Sequence, residues 1–451
     1  MQRRLGSVGA LSANIIDMVG VGPFITLPLI ISAMGGPQAM LGWVLGAGLS
    51  LADGCTWSEL GTAHPDAGGS YAYMKAAFPK KLGRCFAFLY AWQLLFSAPL
   101  SIASGCIGFA QYATWFLPGF GHTTQTLLAM GACVACTVLL FQPIAKIGVI
   151  TKCLGVAVIA TLAGVIAIGF THFSAAQAFS FPATAFHLDG SFFSGLGAGL
   201  LIAAYDYWGY YNVCFLGGEV RNPQRTIPRA VLGSIVIVGV LYLLMNVSVL
   251  GVLPWRSLTH ANAGERQYTI ALFTQTAFAS HAWAHGAASF SVVLIALASL
   301  ASVFALLLGY SRIPYAAATD GNFPAIFGRL HRRHGFPVVS LVVLCGATLL
   351  CCLFRLQEVI ASLVVLRILF QFLLQGVAVL LPSHRRERRK EGRFRMPLFP
   401  LPTLIAMAGF LFILFSRPRV ATEFRLALVV LATGLAAYAL RGLRQRREVT
   451  D

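Results

Sequence analysis

Apolar runs long enough to cross a hydrocarbon core of roughly 30 Å recur from one end of this chain to the other, and few folds can accommodate them. They lie near residues 10–34, 38–62, 83–113, 125–142, 147–170, 192–216, 229–253, 286–316, 338–353, 357–381, 399–416 and 424–441. Inside a bilayer the backbone has no water to bond, so each run must satisfy its own N–H and C=O groups, which an α-helix does. The expected fold is an all-α integral membrane protein with twelve transmembrane helices. Composition agrees: 57% of the 451 residues are hydrophobic and 11% charged, outside the usual range of soluble domains. The first run contains Asn14 and Asp17 yet reaches full spanning length, which argues for a retained helix and against a cleaved signal.

A net charge of +18 suggests nucleic acid until the basic residues are placed. With the N-terminus inside, 25 of the 33 lysines and arginines fall in cytoplasmic segments, six fall outside, and Lys152 and Arg367 lie within spans. The positive-inside rule accounts for this, so no nucleic-acid partner is expected and both termini are placed in the cytoplasm of a plasma (inner) membrane protein. The run His384-Arg385-Arg386-Glu387-Arg388-Arg389-Lys390 reads first as a solvated loop that fixes topology, and second as a patch for anionic membrane lipid.

Two of the spans are interrupted. Gly20-Val21-Gly22-Pro23-Phe24 breaks the first: glycines relax the backbone, and proline suits the start of a second half-helix. That half-helix aims N–H groups of Val21, Gly22 and Phe24 and a positive partial charge of about half a unit at the gap, a receptor for a carboxylate. Carbonyls near Met18 and Val19 at the end of the first half can accept from an ammonium group. Ala204-Tyr205-Asp206-Tyr207-Trp208-Gly209 interrupts the sixth span with an acid that costs about 2.5–3.5 kcal/mol at bilayer depth and so must face a cavity or a cation. Breaks in the first and sixth spans point to a carrier built from two inverted five-helix repeats with its site at the midplane.

The motifs then become specific. Gly20-Val21-Gly22-Pro23-Phe24 resembles the glycine signature of the first helix in the amino acid, polyamine and organocation transporter superfamily. Ala204-Tyr205-Asp206-x-Trp208, followed by Gly217-Gly218-Glu219-Val220-Arg221-Asn222-Pro223, is similar to the sixth helix and following loop of its L-type amino acid transporter branch. Ser311-Arg312 with Asp320-Gly321-Asn322-Phe323-Pro324 resembles the end of the eighth helix, and Phe394-Arg395-Met396-Pro397 the lead into the eleventh. Val21, Pro23, Ala203 and Tyr207 depart from the residues usual in that family.

The resemblance implies a leucine-transporter-like 5+5 inverted repeat with discontinuous helices 1 and 6. A ten-helix core would occupy residues 1–381, with repeats about 10–170 and 192–381. A basic cytoplasmic loop at 382–398, helices 11 and 12 at 399–441 and a tail at 442–451 would follow. It assigns the substrate carboxylate to N–H groups around Val21 and Gly22 and the amino group to carbonyls of Met18, Ala203 and Asp206. Tyr205 or Tyr207 would close the pocket, with Trp208 in its wall. Lys152 would stand where sodium-coupled members of the fold hold sodium, bonding the unwound helix near Gly20, with Asp17 as a possible ionic partner. The expected function is sodium-independent carriage of neutral L-amino acids by alternating access, as exchanger or proton-coupled carrier. The alternatives are a cationic amino acid or polyamine carrier and a nontransporting amino acid sensor. No catalytic residues, metal or cofactor are expected, because no His-Glu-x-x-His or paired intramembrane aspartate motif appears. Segment 114–124 lacks cysteine, so no disulfide-linked heavy chain is expected either.

Overall fold

A computed structural model describes residues 3–117, 119, 121–260, 266–354, 364–388, 390, 392–417 and 420–450. Among them the regular structure is helical, and the only extended pairings are single bridges, Leu5 with Val220 and Leu330 with Pro337. Each of the twelve apolar runs holds helix in its described part. Six helices, at residues 37–63, 80–116, 122–139, 144–171, 223–252 and 284–319, are each long and apolar enough to cross a membrane alone. Ser7–Met18 and Gly22–Met34 meet at 46° and together qualify as a seventh crossing. Shorter apolar helices stand at Val338–Cys351, Val364–Leu380, Leu401–Phe415 and Ala427–Arg441. The chain is a multi-pass membrane protein.

Its core follows from helices that are apolar nearly all round, which must lie within a bundle or face lipid. The helix Ala284–Tyr310 packs against Lys80–Ala113, and Met40–Ala63 against Pro223–Val252. Val138, Val156 and Val240 point outward with more than half of their surface exposed, as lipid-facing residues should. Both broken helices run through the middle of this bundle: Ser7–Met18 packs on Pro223–Val252 and Ile144–Thr171, and Gly22–Met34 on Gly190–Tyr207.

The basic segment after residue 381 differs from the solvated loop expected of it. Pro382–Arg388 is a short helix. His384 is buried and its Nε2 lies 3.1 Å from Glu59 Oε1. Arg388 Nε lies 2.9 Å from the same oxygen, and the N–H of Met396 donates to Glu59 Oε2 at 2.7 Å. A carboxylate buried on the helix Met40–Ala63 needs such partners, so it draws the segment inward.

A second buried ion pair joins two of the signatures read from the sequence. Arg312 Nε donates to Glu219 Oε1 at 3.0 Å, and its Nη1 donates to Leu308 O and Ser311 Oγ, both at 2.9 Å. Leu5 N–H donates to Glu219 O at 2.9 Å, and Arg221 N–H to Leu5 O at 2.8 Å. The loop after the sixth span is thereby tied to the end of the helix Ala284–Tyr310 and to the N-terminal segment. Glu219→Gln leaves a buried guanidinium without its counter-charge, a class of change that costs about 3–5 kcal/mol. Thermal unfolding in detergent should show a large loss for Glu219→Gln and a small one for Asp66→Asn, an exposed acid; equal effects would refute this account.

Candidate substrate site

Helix Ser7–Met18 ends where Val19 takes φ −95° and ψ 77°, and the next helix starts at Gly22 with Pro23 in its first turn. The first helix bond there runs from Phe24 N–H to Val21 O at 3.2 Å, so the N–H groups just before it point into the gap. In the sixth span, helix Gly190–Tyr207 stops at Trp208, whose ψ of 143° is extended. Gly209 follows at φ +123°, and a Cβ there would lie 2.7 Å from Asp17 C and Met18 N. The second break therefore presses glycine backbone onto the end of the first half-helix, a contact that no other residue type allows.

Between the breaks lies a cavity of about 50 Å³. Eight of the residues singled out from the sequence line it: Asp17, Met18, Gly20, Val21, Gly22, Tyr205, Asp206 and Trp208. Four do not. Ala203 turns its methyl toward Gly46 on the helix Met40–Ala63. Tyr207 packs edge-on against Trp43 at 6.0 Å and donates its hydroxyl to Trp43 O at 3.3 Å, so of the two candidate closing tyrosines only Tyr205 faces the cavity. Phe24 is fully buried away from it. Lys152 is exposed and stands against Gly9, about 13 Å of helix before Met18, so it does not reach Gly20. At Gly20 the near neighbour is Ser302, whose hydroxyl donates to Asp17 O at 3.3 Å.

The rest of the wall was not anticipated. Ser101, Ser104 and Gly105 come from the helix Lys80–Ala113, and Ser302 and Leu306 from Ala284–Tyr310. Serines spaced by three on apolar helices were the available signal. Arg367, the second basic residue placed within a span, also lines the cavity, and among the described residues it forms no salt bridge. Its bonds go instead to phenols: Nη1 donates to Tyr211 Oη at 2.9 Å and Nη2 to Tyr310 Oη. Its guanidinium lies 5.7 Å from the Trp208 ring centroid and 5.1 Å from that of Tyr310, within cation–π range. Residues 368–373 form a π-helical turn directly after it, and such turns re-aim side chains.

The polar groups of the cavity are unevenly satisfied. Asp206 Oδ2 accepts from Thr26 Oγ1 at 2.5 Å, whereas Oδ1 has no hydrogen-bond partner among the described residues. That free oxygen faces the start of the second half-helix so closely that a Cβ on Gly22 would stand 2.1 Å from it. Tyr205 Oη donates to Ser104 Oγ at 2.9 Å, closing the space on another side. The carbonyls of Met18 and Asp206 both face the Tyr242 hydroxyl, at 2.8 and 3.3 Å. Sequence reasoning offered those carbonyls to a ligand, but Tyr242 already serves them. Tyr242→Phe leaves two buried acceptors at the breaks short of a donor, at about 1–3 kcal/mol. Melting temperature and ligand affinity should fall further for Tyr242→Phe than for Tyr207→Phe, which loses one bond outside the cavity; similar behaviour of the two would refute the assignment.

The family model described as amino acid permease matches residues 5–433. The chain is 24% identical to the serine/threonine exchanger SteT of Bacillus subtilis over 427 residues, covering 92% of this chain and 91% of that one. It is 25% identical to the branched-chain amino acid permease BcaP of Lactococcus lactis, covering 88% and 86%. With the human Asc-type amino acid transporter 1 the identity is 25%, and the match spans 77% of this chain and 65% of that protein, just under two thirds of its length.

Proposed function

The chain belongs to the amino acid permease family, and from that premise we propose that it carries neutral α-amino acids across the plasma (inner) membrane by alternating access, independently of sodium. The carrier has twelve spans in a leucine-transporter-like 5+5 arrangement, with both termini cytoplasmic. The observation that carries this reading is a small, partly polar cavity between two helix breaks. It has half-helix N–H groups on one side and the unpartnered Asp206 Oδ1 beside them. A zwitterion fits such a pair: its carboxylate takes the N–H groups around Val21 and Gly22, and its ammonium takes Asp206 Oδ1. Tyr242 holds the Met18 and Asp206 carbonyls, which leaves side-chain oxygens of Asp206 and Asp17 as the acceptors in the wall.

Two points favour uncharged side chains. Arg367 offsets one of the two carboxylates in the wall, Asp17 and Asp206, which leaves one net negative charge for the substrate's ammonium and none for a cationic side chain. SteT and BcaP are named for serine, threonine and branched-chain amino acids, all neutral. Sodium independence is supported by Arg367 as a fixed cation already standing among the carboxylates of this wall, in the role first given to Lys152. Exchange is the favoured mode because SteT is named an exchanger; the cavity is far below the roughly 300 Å³ of an ordinary ligand pocket, so its walls must part to admit each substrate.

Proteoliposomes preloaded with unlabelled amino acid test this. Labelled neutral amino acids should enter faster than into empty vesicles, and replacing sodium with choline should leave the rate unchanged. Sodium-dependent uptake, preference for lysine, or binding without any counterflow would each overturn part of the reading, the last in favour of a sensor. Asp206→Asn should weaken apparent affinity about 10–100-fold, the worth of a hydrogen bond to a charged group.

A further inference from the structure

Lys152, excluded from the central cavity, belongs to another. A second cavity of about 300 Å³ lies where the N-terminal segment, the helix Ile144–Thr171 and the loop after the sixth span meet. Three cations line it, one from each element: Arg4, Lys152 and Arg221. Its remaining wall is apolar or glycine, and no carboxylate contributes to it. All three cations are exposed, and none forms an ion pair among the described residues.

The backbone forces these charges together. Leu5 is bonded on both sides to the loop, through Glu219 O and Arg221 N–H, which sets Arg4 beside Arg221. Gly9 brings the same segment against the Lys152 stem. Three like charges held round one hollow repel one another, and an anion in the hollow removes that cost. The flanking surface indicates what carries the anion. Val8 and Val149 border this region with 64% and 58% of their surface exposed, which suits contact with acyl chains. Phosphate diester with a lipid tail matches both halves of the site; inorganic phosphate matches only the first.

We propose that Arg4, Lys152 and Arg221 form a binding site for the headgroup of an anionic phospholipid, which braces the N-terminal segment, the helix Ile144–Thr171 and the loop after the sixth span against one another. The site is separate from the central cavity and does not depend on what the protein carries.

The test is thermal unfolding of purified full-length protein titrated with phosphatidylglycerol, phosphatidylcholine or inorganic phosphate. Phosphatidylglycerol should raise the melting temperature saturably, and the other two should not. Replacing Lys152 by Gln should raise the half-saturating lipid concentration about fivefold, the contribution of one cation near an anionic surface, and the Arg4→Gln/Lys152→Gln/Arg221→Gln variant should lose the effect. Because Lys152 is exposed, the single variant keeps the test available if the triple variant does not fold. An equal shift with phosphatidylcholine, an equal shift with inorganic phosphate, or an undiminished response in the Lys152→Gln variant would overturn the proposal.

Discussion

One phenol hydroxyl holds the two helix breaks together. Tyr242, from the helix Pro223–Val252, faces the last carbonyl of the first half-helix and the carbonyl of Asp206 near the end of the other. Broken backbone within a membrane bundle survives only where something re-satisfies it, and here the donor comes from a third helix. Asn14 does the complementary work one turn earlier. Its amide donates to Tyr210 O and its oxygen accepts from Val213 N–H, so the first half-helix is stapled to the chain beyond the second break. Each break is thus paired through the other's surroundings, and neither is an isolated kink.

The charges of the cavity follow from the same arrangement. Asp17 and Asp206 sit at the two breaks, where the chain leaves helical geometry, while Arg367 enters from a helix that takes a π turn just after it. Arg367 is held by two tyrosine hydroxyls and two aromatic faces, all neutral, while the carboxylates of Asp17 and Asp206 share the cavity with it. A guanidinium bonded to a carboxylate would present little field to the cavity; one bonded to phenols retains it. Arg367 therefore balances the cavity's carboxylates without bonding to them, besides helping to pack the wall.

Much of this site was legible because breaking a membrane helix requires unusual residues. Glycine, proline and a buried acid among aromatics announced both breaks, and eight of twelve singled-out residues meet at one cavity. The misses have separate causes. Ala203 and Tyr207 are four apart and share one helix face, which points at Gly46 and Trp43; Tyr205 lies on another face, and nothing in the sequence says which face is inward. Ser104 was hidden because serine in an apolar helix satisfies itself, its hydroxyl lying 2.7 Å from Ser101 O. The Lys152 assignment failed on register: how far Ile144–Thr171 slides along Ser7–Met18 is a tertiary fact. His384 was read as solvated because its partner Glu59 lies 325 residues away in sequence.

Magnitudes decide which contacts can give way when the cavity opens. Tyr205 with Ser104 and Ser302 with Asp17 O are single neutral hydrogen bonds of 2.9 and 3.3 Å, each worth about 0.5–1.5 kcal/mol net. The Glu219–Arg312 pair is buried and charged, and breaking it leaves both charges stranded, at several kcal/mol. A zwitterion that makes even two charge-assisted bonds gains enough to replace the first kind of contact, whereas Glu219 and Arg312 lie outside the cavity, where its groups do not reach them. In a carrier of the kind proposed, opening would be confined to the cavity walls, where serines meet the broken helices, while the loop after the sixth span stays tied to the end of Ala284–Tyr310. The weakest polar bonds at the two breaks are thus the ones that a zwitterion's own charged groups can replace.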